Sequence, residues 1–291
     1  MLYRIRHRTR YRYRDPVAIC HTLAHLAPRQ EPWQQCRRFH LEISPAPAFL
    51  EEFIDFHGNR CHYFEVVEPH ADLIITASSE VEPLPALRPL PEPWDSPPWE
   101  ETQRVLARSD VPETRRQRVF VLESPLAQHA AAATAFVRPS FTPGRPILEA
   151  TLELTQRIHR EFLHDPRATT VQTPVEEVMR LGKGVCQDFA HLALAGLRAM
   201  GLAARYVSGY LETAPPPGQP RLVGADASHA WFSLFVPEIG WVDFDPTNGV
   251  IPGARHITLA WGRDYADLPP VKGVVVGGDQ HVVEVSVDVE R

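Results

Sequence analysis

Gly182-Lys183-Gly184-Val185-Cys186-Gln187-Asp188-Phe189-Ala190-His191 is the stretch on which the reading of the whole chain turns. After Cys186, apolar residues recur at Phe189, Leu192, Ala193, Leu197 and Met200, the spacing of a helix with one buried face, and Gly201 is its stop. Cys186 therefore falls in the first turn, where backbone N–H groups lack intrahelical partners and the helix dipole favours an anion. A thiolate forms most easily in such a place. Upstream, Thr173-Pro174-Val175-Glu176 reads as a capping box with proline at the first helical position, opening a short helix that Gly182 terminates. The loop into Cys186 is then tight, and its glycines would let a substrate backbone approach the thiol. Gly182-Lys183-Gly184 lacks the phosphate-loop pattern. Gly196, on or beside the buried face, predicts close backbone packing.

Two further residues follow in chain order: His229 in Ser228-His229-Ala230-Trp231 and Asp245 in Phe244-Asp245-Pro246-Thr247. A thiol needs a base within hydrogen-bond reach, and the base needs a carboxylate on its other nitrogen to fix the tautomer and stabilise imidazolium. Strands are predicted at 204–211, 229–236, 241–245, 256–262 and 281–289, with Pro237-Glu238-Ile239-Gly240 turning the His229 strand into the Asp245 strand. A symmetric turn there sets Asp245 opposite Phe232, so a one-residue bulge is expected to bring it beside Trp231. Asp243 shares the strand face of Asp245. The run 281–289, valines alternating with Glu284, Ser286 and Asp288, is expected to close this same sheet.

These segments, together with Ala204-Arg205-Tyr206-Val207-Ser208-Gly209-Tyr210 and Trp241-Val242-Asp243-Phe244-Asp245-Pro246-Thr247-Asn248, resemble the bacterial transglutaminase-like family. Asp55-Phe56-His57-Gly58-Asn59 resembles part of that family's β-rich N-terminal domain. The resemblance implies an α+β fold: an antiparallel β-domain, then a core similar to papain-like cysteine proteases, with helices packed on an antiparallel sheet. It implies Cys186 as nucleophile, His229 as base and Asp245, not Asp243, as orienter. The expected chemistry is acyl transfer through a thioester, resolved by water on peptide or isopeptide-like amides. Amine-dependent transglutamination and a non-catalytic binding scaffold are the alternatives. The Cys186 backbone N–H and the Gln172 side chain are candidate oxyanion donors. No EF-hand loop occurs, and neither cofactor nor metal is expected; the expected partner is a peptide or protein substrate.

The chain has 291 residues, 44% apolar and 23% charged, which suits two globular domains. A net charge of −6 argues against general nucleic-acid binding. No run approaches the roughly 18 apolar residues of a membrane span, and the basic N-terminus has no apolar signal region, so a cytoplasmic location and reduced Cys20, Cys36, Cys61 and Cys186 are expected. Residues 1–82 read as the β-domain, with strand runs 3–14, 18–27, 34–44, 60–68 and 71–82. Residues 83–123 read as a connector in which Pro83, Pro85, Pro89, Pro91, Pro93, Pro97 and Pro98 deny regular structure. Residues 124–291 read as the catalytic core, where Ser124-Pro125 opens an alanine-rich helix and Pro146 a second.

The first run sets Tyr3, Ile5, His7, Thr9, Tyr11 and Tyr13 against Arg4, Arg6, Arg8, Arg10, Arg12 and Arg14. The arginine face is read as solvated and paired with carboxylates such as Glu51, Glu52 or Glu65. Cys20-His21 with His25, Cys36 with His40, and Cys61-His62 lack paired metal-ligand spacing and are read as packing residues. His191, rotated some 140° from Cys186 on the helix, is given a packing or hydrogen-bonding role, and Asp188 a capping one.

Overall fold

The computed structural model describes residues 1–87, 90–212 and 228–291; Pro89 of the predicted connector lies outside them. The first strands are β1 (Tyr3–Ala24), β2 (Gln34–Ser44), β3 (Phe49–Ile54), β4 (Arg60–Val66) and β5 (His70–Pro83). Next come α1 (Trp99–Arg108), α2 (Pro112–Arg116), α3 (Ala131–Val137), α4 (Ile147–Glu161), β6 (Leu163–His164), α5 (Val175–Leu181), β7 (Lys183–Gly184) and α6 (Cys186–Ala199). Then follow β8 (Ala204–Leu211), β9 (Ser228–Val236), β10 (Gly240–Phe244), β11 (His256–Gly262), β12 (Val271–Gly277) and β13 (His281–Glu290). The class is α+β, as expected: an antiparallel N-terminal sheet and a second antiparallel sheet in the order β10-β9-β8-β11, with helices packed on it. Among the described residues no helix is long and apolar enough to cross a membrane.

β1 is the spine of the first sheet. Asp15-Pro16 does not end it; the register with β5 slips between Arg12 and Val17, which accommodates a residue without an N–H. The two C-terminal strands also lie along β1, β13 from Arg4↔Glu290 to Tyr13↔His281 and β12 from Val17↔Gly277 to Ala24↔Val271. The expectation that 281–289 closes the second sheet is therefore corrected. Val287 and Val289 are buried opposite His7 and Ile5. Period-two alternation specifies a half-buried strand but not which sheet it joins. The arginine face is partly paired, though with strand neighbours rather than Glu51, Glu52 or Glu65: Arg10 Nε donates to Asp72 at 2.7 Å, Arg12 pairs with Glu284, and Arg4 reaches Glu80 at 3.9 Å.

The connector carries more structure than its prolines suggested. Single 3-10 turns occupy Pro85–Leu87 and Pro93–Asp95, but beyond Pro98 the helices α1 and α2 form, with Glu100 and Glu101 in the first turn of α1 and Leu106 buried. The alanine-rich helix begins at Ala131, not Pro125, because Ser124 lies in a turn bridged to Ala127 and its hydroxyl accepts from buried Arg198 at 2.9 Å. α5 starts at Val175 as expected. Thr173, however, does not cap it; its hydroxyl oxygen accepts the Thr170 N–H at 2.8 Å.

In the second sheet Tyr206, Phe232, Leu234 and Phe244 join the core formed with α6. A Cβ on Gly196 would lie 2.3 Å from Val137 Cγ2, so glycine is what lets α3 pack onto α6. On the opposite face the Arg205 guanidinium stacks on Trp241 at 4.1 Å and Trp261 at 3.5 Å. The β9–β10 hairpin turns through three residues, Pro237 to Ile239, with Glu238 at φ 70°, so that Gly240 pairs with Val236 and Phe244 with Phe232. Asp245 thus follows in step with Trp231, and the expected bulge is unnecessary.

Candidate active site

Two segments deliver Cys186. Gly182, at φ 63°, ends α5, and the parallel pair β6–β7 holds the loop through Leu163 N–H to Gly182 O at 3.0 Å and Asp165 N–H to Gly184 O at 2.9 Å. α6 then starts at Cys186 itself. Asp188 caps its own helix: Oδ2 accepts the Val185 N–H at 2.8 Å and the Thr169 hydroxyl at 2.6 Å. Gly184 serves this cap, because a Cβ there would sit 2.7 Å from Asp188 Oδ2. Its lack of a side chain makes room for the carboxylate, whereas the sequence suggested room for a substrate. Burial pushes the Asp188 carboxyl up, and hydrogen bonds from Thr169 and Val185 oppose this.

His229 opens β9 and Asp245 follows β10. His229 Nε2 meets Asp245 Oδ2 at 2.8 Å, and Asp245 is fully buried. The Cys186 thiol lies close enough to the His229 imidazole to raise its pKa. With Nε2 taken by Asp245, Nδ1 is the ring nitrogen left for the thiol. Burial alone would lower the His229 pKa, but the hydrogen bonds to Asp245 and Cys186 outweigh it and push it up to about 10. Burial likewise opposes ionisation of Asp245, yet donors from His229, His256 and Asn248 hold its carboxyl well below the usual range. Its other oxygen, Oδ1, accepts the backbone N–H groups of Thr247 at 3.0 Å and Asn248 at 3.2 Å.

The structure therefore brings Cys186, His229 and Asp245 together. Asp243 is buried further along the same face. Gln172 is exposed and lines a cleft with Pro125, Leu126 and Gln128, and its neighbour Val171 accepts from Gln187 Nε2 at 3.0 Å. His191 is buried, accepts the Tyr265 N–H at 3.3 Å and is lowered to about 4 by burial. Two partners of Asp245 were not anticipated: Asn248, whose Nδ2 donates to Oδ2 at 2.7 Å, and His256, whose Nε2 does so at 3.0 Å. The Asp-Pro-Thr-Asn turn could have pointed to Asn248 as a self-capping turn residue. His256 carried no local signal. Among the described residues two groups bring His, Asp or Cys ligand atoms within 4.8 Å of one another, His25–Asp55–Cys61 and His229–Asp245–His256. In the first group the Cys61 thiol donates to the Asn59 carbonyl at 3.5 Å and His25 Nδ1 meets the Pro269 carbonyl at 3.0 Å; in the second the imidazole Nε2 atoms face Asp245.

Comparison with known proteins fits this geometry. The bacterial transglutaminase-like N-terminal region matches residues 3–82, and the transglutaminase-like superfamily core matches residues 134–246. An uncharacterized protein of Mycobacterium tuberculosis is 41% identical over 292 residues, covering 99% of this chain and 92% of the relative. The chain belongs to the transglutaminase-like superfamily. Another superfamily relative, a protein-glutamine gamma-glutamyltransferase of Pseudomonas aeruginosa, is 33% identical over 129 residues, 40% of this chain and 19% of that protein. The transglutaminase-like fold as a whole is shared with a candidate cysteine protease of Cytophaga hutchinsonii, at a TM-score of 0.73 and 19% identity over 99% of this chain and 90% of that one. Membership and fold support an enzyme of the thiol acyl-transfer kind.

Proposed function

We propose that this transglutaminase-like protein hydrolyses peptide or isopeptide-like amide bonds through a thioester, with Cys186 as nucleophile, His229 as base and acid, and Asp245 as orienter. The observation that carries the reading is the 2.8 Å hydrogen bond from the His229 ring to buried Asp245, with the Cys186 thiol beside that ring. The Cys186 thiolate adds to the carbonyl carbon, and the oxyanion accepts from the Cys186 backbone N–H at the start of α6. His229 then gives its proton to the leaving amine and the C–N bond breaks. In the second half His229 takes a proton from water, hydroxide adds to the thioester, and the carboxylic acid leaves with the thiolate restored. The similarity of residues in the core to a protein-glutamine gamma-glutamyltransferase supports a second reading, in which a primary amine replaces that water.

The test has two arms. Alkylation with iodoacetamide followed by peptide mapping should label Cys186 at lower pH than Cys20, Cys36 and Cys61, which burial pushes up, Cys61 to about 12. Equal reactivity of all four thiols would count against the reading. Incubation of a glutamine- and lysine-containing peptide library, with and without a fluorescent primary amine, separates new termini or released ammonia from amine incorporation.

A further inference from the structure

His256 lies seventy residues and three strands beyond Cys186, and nothing in the acyl-transfer scheme above uses it. Its Nδ1 accepts the Gly253 N–H at 3.4 Å, which leaves the ring proton on Nε2, 3.0 Å from Asp245 Oδ2. The same oxygen receives His229 Nε2 at 2.8 Å and Asn248 Nδ2 at 2.7 Å. The His256 ring stands edge-on to Trp231, centroids 5.4 Å apart at 85°, and Trp231 in turn lies 6.0 Å from the His229 ring. The two imidazoles, 6.2 Å apart and both against the Trp231 indole, thus approach one carboxylate oxygen from β9 and β11.

What holds His256 there comes from the other domain. β11 is an edge of its sheet, and two side-chain amides of the N-terminal domain cover that edge as a neighbouring strand would. Gln34 accepts the Thr258 N–H at 2.7 Å and donates to the Thr258 carbonyl at 2.8 Å. Asn59 accepts the Trp261 N–H at 3.0 Å and donates to the Trp261 carbonyl at 2.8 Å. Asn59 is itself fixed by Asp55 within Asp55-Phe56-His57-Gly58-Asn59, and the His57 carbonyl accepts from Trp261 Nε1 at 3.1 Å.

We propose that His256 is a positioning residue of the site, fixing Asp245 Oδ2 for His229 and taking a share of its charge, and that the N-terminal β-domain holds His256 in place through β11. This rests on the Cys186–His229–Asp245 reading above. The His256 N–H, added on Oδ2 to that of Asn248, makes the carboxylate a weaker acceptor for the His229 imidazolium, so His229 releases its proton more readily. Among the described residues the ionisable groups facing His256 are Asp245, His229 behind it with Cys186 beyond, and Asp243, which lines with Trp231 a cavity of about 80 Å³ beside His256. Among the described residues, the N-terminal domain brings only uncharged side chains, Trp33 and Gln34 among them, to that cavity.

The pH–rate profile of Cys186 alkylation, read by peptide mapping, tests this in the full chain. In His256→Leu the upper step, where His229 loses its proton, should move up by about half to one pH unit, and amide turnover should fall about tenfold. His256→Gln, whose amide N–H can reach Oδ2, should keep the upper step of the parent protein. If His256→Leu does not fold, His256→Asn, too short to reach, takes its place. An upper step that stays put, with turnover lost only in proportion to unfolded protein, overturns the proposal while leaving the triad reading intact. If Asp245→Ala also leaves the profile unmoved, the triad reading has failed first.

Discussion

Asp245→Asn is the sharpest perturbation of this site. The substitution keeps size and shape and removes one charge from a position with no solvent exposure. Oδ1 is committed to the N–H groups of Thr247 and Asn248, so in the variant the new amide NH₂ must face His229. It can then only donate to Nε2, which forces the His229 proton onto Nδ1, the nitrogen facing Cys186. The His229 pKa is about 10 against an ordinary 6.5, a gap worth roughly 5 kcal/mol at about 1.36 kcal/mol per pH unit. Burial works against that gap, so the Asp245 and Cys186 hydrogen bonds together supply more than all of it. Assigning Asp245 about half lowers the His229 pKa by about two pH units, and the thiolate–imidazolium population by about a hundredfold. The assay is the second-order rate of Cys186 alkylation by iodoacetamide from pH 5 to 11, with peptide mapping to separate the other thiols. Superimposable profiles for the parent and the variant would refute the coupling from carboxylate to thiol.

Other consequences are open to simpler measurements. Gly184→Ala would place a methyl 2.7 Å from Asp188 Oδ2 and dislodge the cap on the Val185 N–H; a loss of about 1–2 kcal/mol by chemical denaturation is expected, together with slower Cys186 alkylation. Stability should fall at both ends of the pH scale, followed by thermal unfolding. The raised His229 contributes fully below about pH 6.5 and loses its contribution as pH climbs towards about 10, whereas the depressed Asp245 contributes above about pH 4 and loses its share in more acid solution. Removing residues 270–291 bares one edge of β1 from Arg4 to Ala24 and takes buried Val287 and Val289 out of the core, so the shortened chain should be insoluble or lack a cooperative thermal transition.

How far each feature could be read from sequence follows how local its cause is. The α6 start at Cys186, its stop near Gly201 and the Gly182 turn depend on a few adjacent residues, and the structure has them where the sequence implied. The β9–β10 hairpin was legible as a hairpin, but its register hinged on whether the turn held three residues or four, which composition does not decide. Ser124-Pro125 carried an N-cap signal that Arg198 overrode from seventy-four residues away by taking the hydroxyl. β3 was not foreseen; its six residues are all exposed, so no inward face imposes alternation on them. β12 likewise hides in a Gly- and Val-rich run whose exposed valines point both ways.

The same reasoning explains why Cys186, His229 and Asp245 could be picked out and His256 could not. Cys186 is marked by the helix it begins, whereas His229 and Asp245 lie in segments that resemble the family's, and that resemblance separated Asp245 from Asp243. His256 reaches Asp245 only because β11 pairs with β8 in a register that slips between Thr258 and Ala260, and because Gln34 and Asn59 secure the outer edge of that strand. Those two residues are placed by the first sheet, whose spine β1 is completed by strands from the far end of the described chain. The catalytic sheet is thus inserted between two halves of the β-domain, and one of its edges is finished by side chains from that domain. A site assembled this way ties the hydrogen-bond geometry of its carboxylate to the folding of the β-domain. Damage to the Asp55–Asn59 turn should therefore register at Asp245 although no atom of that turn touches it.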